Sequence, residues 1–421
     1  MPVDPEKRDK FRQWVVDQGK TGGHASAAYT GEDTWLTESP AGIPFVSPVM
    51  TWATTGGPKI GHISRWYGPD GSGKSMSNWG MIYCAQNYPR IITEMYEREI
   101  RYLQARRKKF KAIGLGKKLK ELVGRFPDGM AVCLYDTEQR AQLDIAAGMG
   151  VNLGKDQFLL VEENIIEEIA HQMTQAVEAY HVIIIDSASN AESYKEANLD
   201  PGSYEQGGAA AAWKRLRAVR RKLDRKENTI VIVDQMRMGL GNSSKYQKPT
   251  PQPPQIRFLK HNVSLAVEFA EGRKLFMNKD GTLTDDRDKA SDDFRAMGVD
   301  WAEVAGLQMQ FQVQKNSTGK PFRTGITRFK FPMHDARTGE LVQEVGFDHA
   351  YEVLKAAEHF HILESGGSGM YYLLDEEFKR VPKAKGKGDF GWRGEWNAAI
   401  AIQEDEELRE RVLTKLAVTM A

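Results

Sequence analysis

Residues 68–75 read Gly-Pro-Asp-Gly-Ser-Gly-Lys-Ser, which satisfies the spacing GxxxxGK[ST]. Glycines at these places let successive backbone N–H groups turn toward phosphate oxygens, and a helix opening at Lys74 adds its positive end. In such a loop the lysine reaches the β- and γ-phosphates and the next hydroxyl ligates Mg²⁺. This assigns ATP to Gly68, Pro69, Asp70, Gly71, Ser72, Gly73, Lys74, Ser75 and Met76, and Mg²⁺ to Ser75. Hydrolysis asks for more: an acid beside the metal and a group that orients and deprotonates water. VIIIDS supplies Asp186 at the end of an apolar run, as a metal acid or as a plain helix cap. AVCLYDTEQ supplies Asp136 and Glu138. If their strand neighbours the one feeding the phosphate loop, one of them can face the γ-phosphate; otherwise they are acids on a solvated turn. VIVDQMRM ends on Gln235, placed to sense the γ-phosphate and report it to the loop that follows.

The elements that must hold these groups follow from hydrophobic patterning. HISRWYG, MAVCLYD, HVIIID, TIVIVDQ and MQFQVQK read as short apolar strands. SMSNWGMIYCAQNY, 165–180 and 205–226 read as helices between them. Continuously apolar strands alternating with helices predict an α/β core whose mostly parallel sheet is covered on both faces. The expected layout is an N-terminal arm or tail over 1–40, an ATPase core over 41–336 and a small C-terminal domain over 337–421. Two inserts interrupt the core, at about 90–128 and 272–305.

Composition narrows the class. The chain has 421 residues, 41% of them hydrophobic, and a net charge of +1, so any polyanion partner must be met by local charge. Two cysteines, Cys84 and Cys133, fit a reducing cytoplasm rather than a disulfide scaffold. No secretory signal is read at the N-terminus, and no apolar run reaches membrane-spanning length, so no membrane partner is expected.

Positive charge is concentrated in three places. Residues 214–226 carry eight Lys/Arg against Asp224, including Lys214 and Arg217. The stretch after Gln235 has no acid before Glu268 and contains Arg237, Lys245, Tyr246, Lys248 and Arg257. Cations interleaved with a ring suit a single strand, whose phosphates follow the charge and whose bases stack. Residues 101–125 hold ten Lys/Arg and one acid, and read either as a solvated helical hairpin or as a peripheral DNA contact.

Taken in order, WYGPDGSGKS, LYDTEQ, VIIIDSAS, GGAAAAWKRLRAVRRKL and VDQMRM resemble the RecA family of recombinases, and most the UvsX-type phage recombinases. The resemblance covers about 41–335 and, more weakly, the C-terminal part. It implies a RecA-type P-loop ATPase fold and a DNA-dependent ATPase that forms helical filaments on single-stranded DNA, with ATP between protomers. Lys74 and Ser75 match the family's P-loop pair, Glu138 the water-activating acid, Asp186 the metal-associated acid and Gln235 the glutamine that links nucleotide to DNA. Residues 190–208 and 237–260 match its two DNA loops. Lys315 matches a lysine that reaches a neighbour's ATP, although the run here is Lys-Asn-Ser rather than Lys-Asn-Lys. The family's adenine-stacking position falls on Ile145. Double-stranded DNA, a single-strand-binding protein or loader, and a phage-encoded origin with action in a bacterial cytoplasm follow as further expectations. The competing reading is a ring-forming RecA-fold helicase or packaging motor.

Overall fold

The computed structural model describes residues 40–198, 216–223, 227–238, 251–252, 261–279, 281–296, 302–335, 338–375, 377–383 and 388–418. The apolar runs become strands β1 (Ile63–Gly68), β2 (Val132–Asp136), β3 (Phe158–Val161), β4 (Val182–Asp186) and β5 (Thr229–Gln235). The short strands β6 (Arg237–Met238) and β7 (Pro251–Gln252) pair antiparallel with each other. Then come β8 (Val263–Phe269), β9 (Arg273–Met277), β10 (Leu283–Thr284), β11 (Val304–Asn316) and β12 (Thr324–Lys330). In the main sheet β8, β1, β5, β4, β2 and β3 lie side by side in that order, all parallel. From β8 the sheet continues antiparallel through β11, which also pairs with β9 and β12. The chain is therefore an α/β protein with a mixed, largely parallel central sheet.

Alternation along the strands explains why both faces are covered. Val182 and Ile184 of β4 join one buried cluster with Val132, Leu134, Val231 and Val233, whereas Ile183 and Ile185 join a second with Cys133, Ile230 and Ile232. A side-chain period of two sends neighbours to opposite faces, so a run such as VIII must be apolar throughout. The first face is closed by helices α2 (Lys74–Gln86), α3 (Tyr88–Ala105), α4 (Lys109–Arg125) and α5 (Leu143–Gly148), the short α1 (Pro48–Ala53) lying beside them. The second is closed by α6 (Ile166–Ala179) and α8 (Leu216–Lys222), with the one-turn α7 (Tyr194–Ala197) between them in the chain.

The insert at 90–128 is an antiparallel helical hairpin, α3 and α4. The insert at 272–305 holds β9, β10 and α9 (Arg287–Ala296). After β13 (Met333–His334), β14 (Leu341–Gln343) and β15 (Gly346–Phe347), β15 pairing with β12, the chain builds a C-terminal layer. It consists of α10 (His349–His359), a three-stranded sheet of β16 (Leu363–Ser365), β17 (Met370–Leu373) and β18 (Gly391–Arg393), then α11 (Glu395–Glu404) and α12 (Glu406–Val418). Leu354, Ile362, Ala398, Ile402 and Val412 form its own core, against which Trp52 of α1 packs. Asp405 separates α11 from α12, and its carboxylate accepts from Leu408 N at 3.0 Å in the first turn of α12.

Candidate functional site

All the chemistry-bearing strand ends meet at one edge, the C-terminal edge of the parallel strands, where ligands of such sheets sit. β1 ends at Gly68 and the chain turns through Gly71 (φ 67°) and Gly73 (φ 92°) into α2. A Cβ on Gly73 would stand 1.8 Å from the Met309 sulfur of β11, so both conformation and space require glycine there. Gly71 has nothing within 4 Å of its Cβ position and borders open space. The buried Lys74 ammonium donates to Gly68 O at 3.0 Å, Pro69 O at 2.7 Å and Ser72 Oγ at 3.3 Å. Burial lowers its pKa, opposed by the charges of Asp186, Asp70, Glu138 and Asp234. Met76 is partly buried and packs against the main core.

From the second residue of α2, Ser75 Oγ donates to Asp186 Oδ2 at 2.9 Å, and one turn on Asn78 Nδ2 approaches the same oxygen at 3.4 Å. Asn78 is itself fixed by the Trp66 indole, which donates to its Oδ1 at 2.9 Å. Burial pushes the Asp186 carboxyl up to about 6; the Ser75 hydrogen bond and Lys74 oppose this, while Glu138 and Asp136 add to it. The hydroxyl and carboxylate expected to share a metal therefore already touch. Among the described residues no group of three or more His, Cys, Asp or Glu could hold a metal without help. A hydroxyl and one carboxylate suit Mg²⁺, which keeps phosphate and water in most of its shell.

β2 does not neighbour β1: β4 and β5 lie between them. Glu138 nevertheless arrives at the site, because the chain past β2 crosses the end of β4. Thr137 N donates to Asp186 O at 2.9 Å, and its hydroxyl donates to Ser187 O at 2.7 Å. Glu138 Oε1 then accepts from Ser187 Oγ at 2.5 Å and from Gln235 Nε2 at 2.7 Å. Asp136, the other acid of the pair, is buried and accepts from the backbone N–H groups of Glu138 (3.1 Å), Arg140 (2.8 Å) and Ala141 (2.7 Å). It structures the turn that presents Glu138. Ile145 is 7% exposed and belongs to the core, so it offers no face to a base.

Gln235 is held from behind by a network that sequence reading missed. Its N–H donates to Ser189 Oγ at 2.6 Å, and Ser189 donates to Asp234 Oδ1 at 3.3 Å. Asp234 is fully buried and paired with Arg65 at 2.6 Å. The next N–H, of Met236, donates to Gly68 O at 3.0 Å, the carbonyl that also accepts from Lys74. Only the order of Asp234 and Gln235 in VIVDQ, and Ser189 three residues past Asp186, hinted at these contacts; their partners lie on segments distant in sequence.

The remaining expected residues fall elsewhere. Lys315 sits on β11 in register with Ala266, which is itself opposite Arg65 in mid-strand of β1, away from the Gly68 end. Arg237 and Arg217 lie on β6 and α8. On α8, Leu216 and Val219 are buried, and Lys222 pairs with Glu178 at 2.7 Å. Lys214, Lys245, Tyr246, Lys248 and Arg257, with residues 1–39, lie outside the described residues. No helix among the described residues is long and apolar enough to cross a membrane. A scan of the chain against protein-family models finds no match.

Proposed function

We propose that the chain is a DNA-dependent ATPase of the recombinase type, which binds single-stranded DNA in a helical filament with ATP between protomers. The observation that carries the reading is the convergence, on one sheet edge, of the Lys74 loop, the Ser75–Asp186 pair and Glu138 bridged to Gln235. The resemblance in sequence extends it from nucleotide to DNA.

Each residue has a task that its contacts support. Lys74 exchanges loop oxygens for the β- and γ-phosphates, a substitution of stronger acceptors for weaker ones. Ser75 and Asp186 would hold Mg²⁺, which supplies charge neutralisation of the phosphates. Both hydrogen bonds to Glu138 fall on Oε1, so Oε2 remains to take a proton from water. Gln235 donates its Nε2 to Glu138, and a γ-phosphate oxygen would compete for that donor. Because Met236 shares the Gly68 carbonyl with Lys74, a change in the phosphate loop is felt at the start of the segment that carries the candidate DNA residues. Arg237, Lys245, Lys248 and Arg257 would follow phosphates and Tyr246 stack on a base. Lys315 is assigned to the nucleotide of a neighbouring protomer.

Electron microscopy of the full chain with single-stranded DNA and a non-hydrolysable ATP analogue tests this reading. Helical filaments that vanish without nucleotide support it. Closed rings of fixed size under the same conditions would replace it with the motor reading.

A further inference from the structure

The α3–α4 hairpin has no part in the site described. Away from its tip its apolar residues are engaged: Leu103, Ala112 and Leu122 are buried, and Leu119 and Val123 pack on the main core. Its base is tied down where Met130 N donates to Ala85 O at 2.9 Å and Gln86 Nε2 donates to Asn152 O at 2.8 Å. Both ties lie beside the start of β2, the sheet edge opposite Glu138. A bidentate pair from Arg98 to Glu410, 2.9 Å on each arm, braces α3 against α12.

The tip is different. Arg106, Arg107, Lys108, Lys109 and Lys111 are all exposed. Among the described residues no carboxylate pairs with Arg107, Lys108, Lys109, Lys111 or Lys117. Phe110 sits in the middle of this cluster, 93% exposed, with Ile113 at 57% one turn on. Crowded unpaired cations repel one another, and a polyanion relieves that repulsion while releasing its own counterions. A membrane fits less well, because an interfacial helix needs a continuous free apolar face, and on α4 only Phe110 and Ile113 are exposed while Ala112 and Leu122 are buried.

We infer that the hairpin tip binds the phosphodiester backbone of nucleic acid, with Phe110 offering a stacking face to an unpaired base. This contact needs no nucleotide, and it stands whether or not the strand-end site hydrolyses ATP.

The test uses the full chain without nucleotide or Mg²⁺, and reads fluorescence anisotropy with a labelled oligo(dT), a labelled blunt duplex and, separately, anionic phosphatidylglycerol vesicles. Changing Arg106, Arg107, Lys108, Lys109 and Lys111 together to Ala should weaken both oligonucleotides by at least about tenfold. The slope of log K against log salt should fall by about three to four. Phe110→Ala should weaken oligo(dT) by about tenfold and leave the duplex unchanged. Unfolding curves verify that the variants fold, and Lys108→Glu with Lys109→Glu repeats the test with fewer changes. Equal affinity and equal salt slope in parent and variants overturn the inference. So does loss of vesicle binding with DNA binding intact.

Discussion

At the strand-end site nearly every charge is engaged by a neighbour, whereas at the hairpin tip almost none is. Lys74 has three loop acceptors, Asp186 has Ser75 and Asn78, Glu138 has Ser187 and Gln235, and Asp234 has Arg65. Arg107, Lys108, Lys109 and Lys111 have no ion-pair partner among the described residues. Engaged charges fix geometry, which catalysis needs before substrate arrives. Unengaged charges fix nothing and are free to follow a flexible polyanion. The two regions should therefore fail in different ways when altered.

The largest contrast is expected from Lys74→Ala. It removes the one cation of the phosphate loop and should abolish ATP turnover and productive nucleotide binding. Equilibrium binding of a fluorescent ATP analogue and a phosphate-release assay check this, and normal turnover would break the P-loop reading. Hairpin variants should leave the same assay near the parent rate in the absence of DNA.

A smaller effect is expected where a buried charge has no catalytic work. Glu352 of α10 is fully buried, accepts from Thr327, and its Oε2 has no partner. Burial pushes its carboxyl up to about 8, opposed by hydrogen bonds from Thr327, Ser47 and the Val49 backbone, with Asp348 adding to the rise. The folded state thus holds a proton that the unfolded chain releases near the ordinary glutamate value of 4.5. Its stabilising share is complete below 4.5 and is lost as pH rises through about 8. Glu352→Gln, which cannot ionise, should flatten that slope and gain on the order of a few kcal/mol over the parent at alkaline pH. Urea titrations of both proteins at several pH values measure it; parallel pH profiles would show that Glu352 ionises without cost.

Much of the fold was legible because period and punctuation agree in it. TIVIVDQ is a strand from first residue to last, and GSGKS opens a helix at the predicted residue. β3 was not legible: Phe158–Val161 is four residues long, with only its first residue buried. β8 was not read either: VSLAVEF lies just past the 237–260 loop and outside every strand named from the sequence. At the site, the identity of Glu138 over Asp136 could not be read from spacing, since both acids follow the same strand. Backbone N–H groups occupy Asp136, which leaves Glu138 as the acid of the proposed role. The Arg65–Asp234–Ser189–Gln235 chain was illegible for another reason. It joins β1 to β5 and to the turn after β4, contacts that exist only once the sheet order is set.

The most direct measurement compares ATP hydrolysis, with and without single-stranded DNA, for the parent, Glu138→Gln and Asp136→Asn. Glu138→Gln keeps a side chain of the same shape but no proton acceptor of comparable basicity. It should bind ATP like the parent and hydrolyse it slower by on the order of 10²-fold or more. Asp136→Asn weakens the turn that carries Glu138, so its loss should be smaller and accompanied by lower thermal stability. DNA-stimulated turnover in the parent, lost in Glu138→Gln with ATP still bound, is the expected result. A Glu138→Gln protein that hydrolyses at the parent rate, or a parent that hydrolyses no ATP with DNA present, would contradict it.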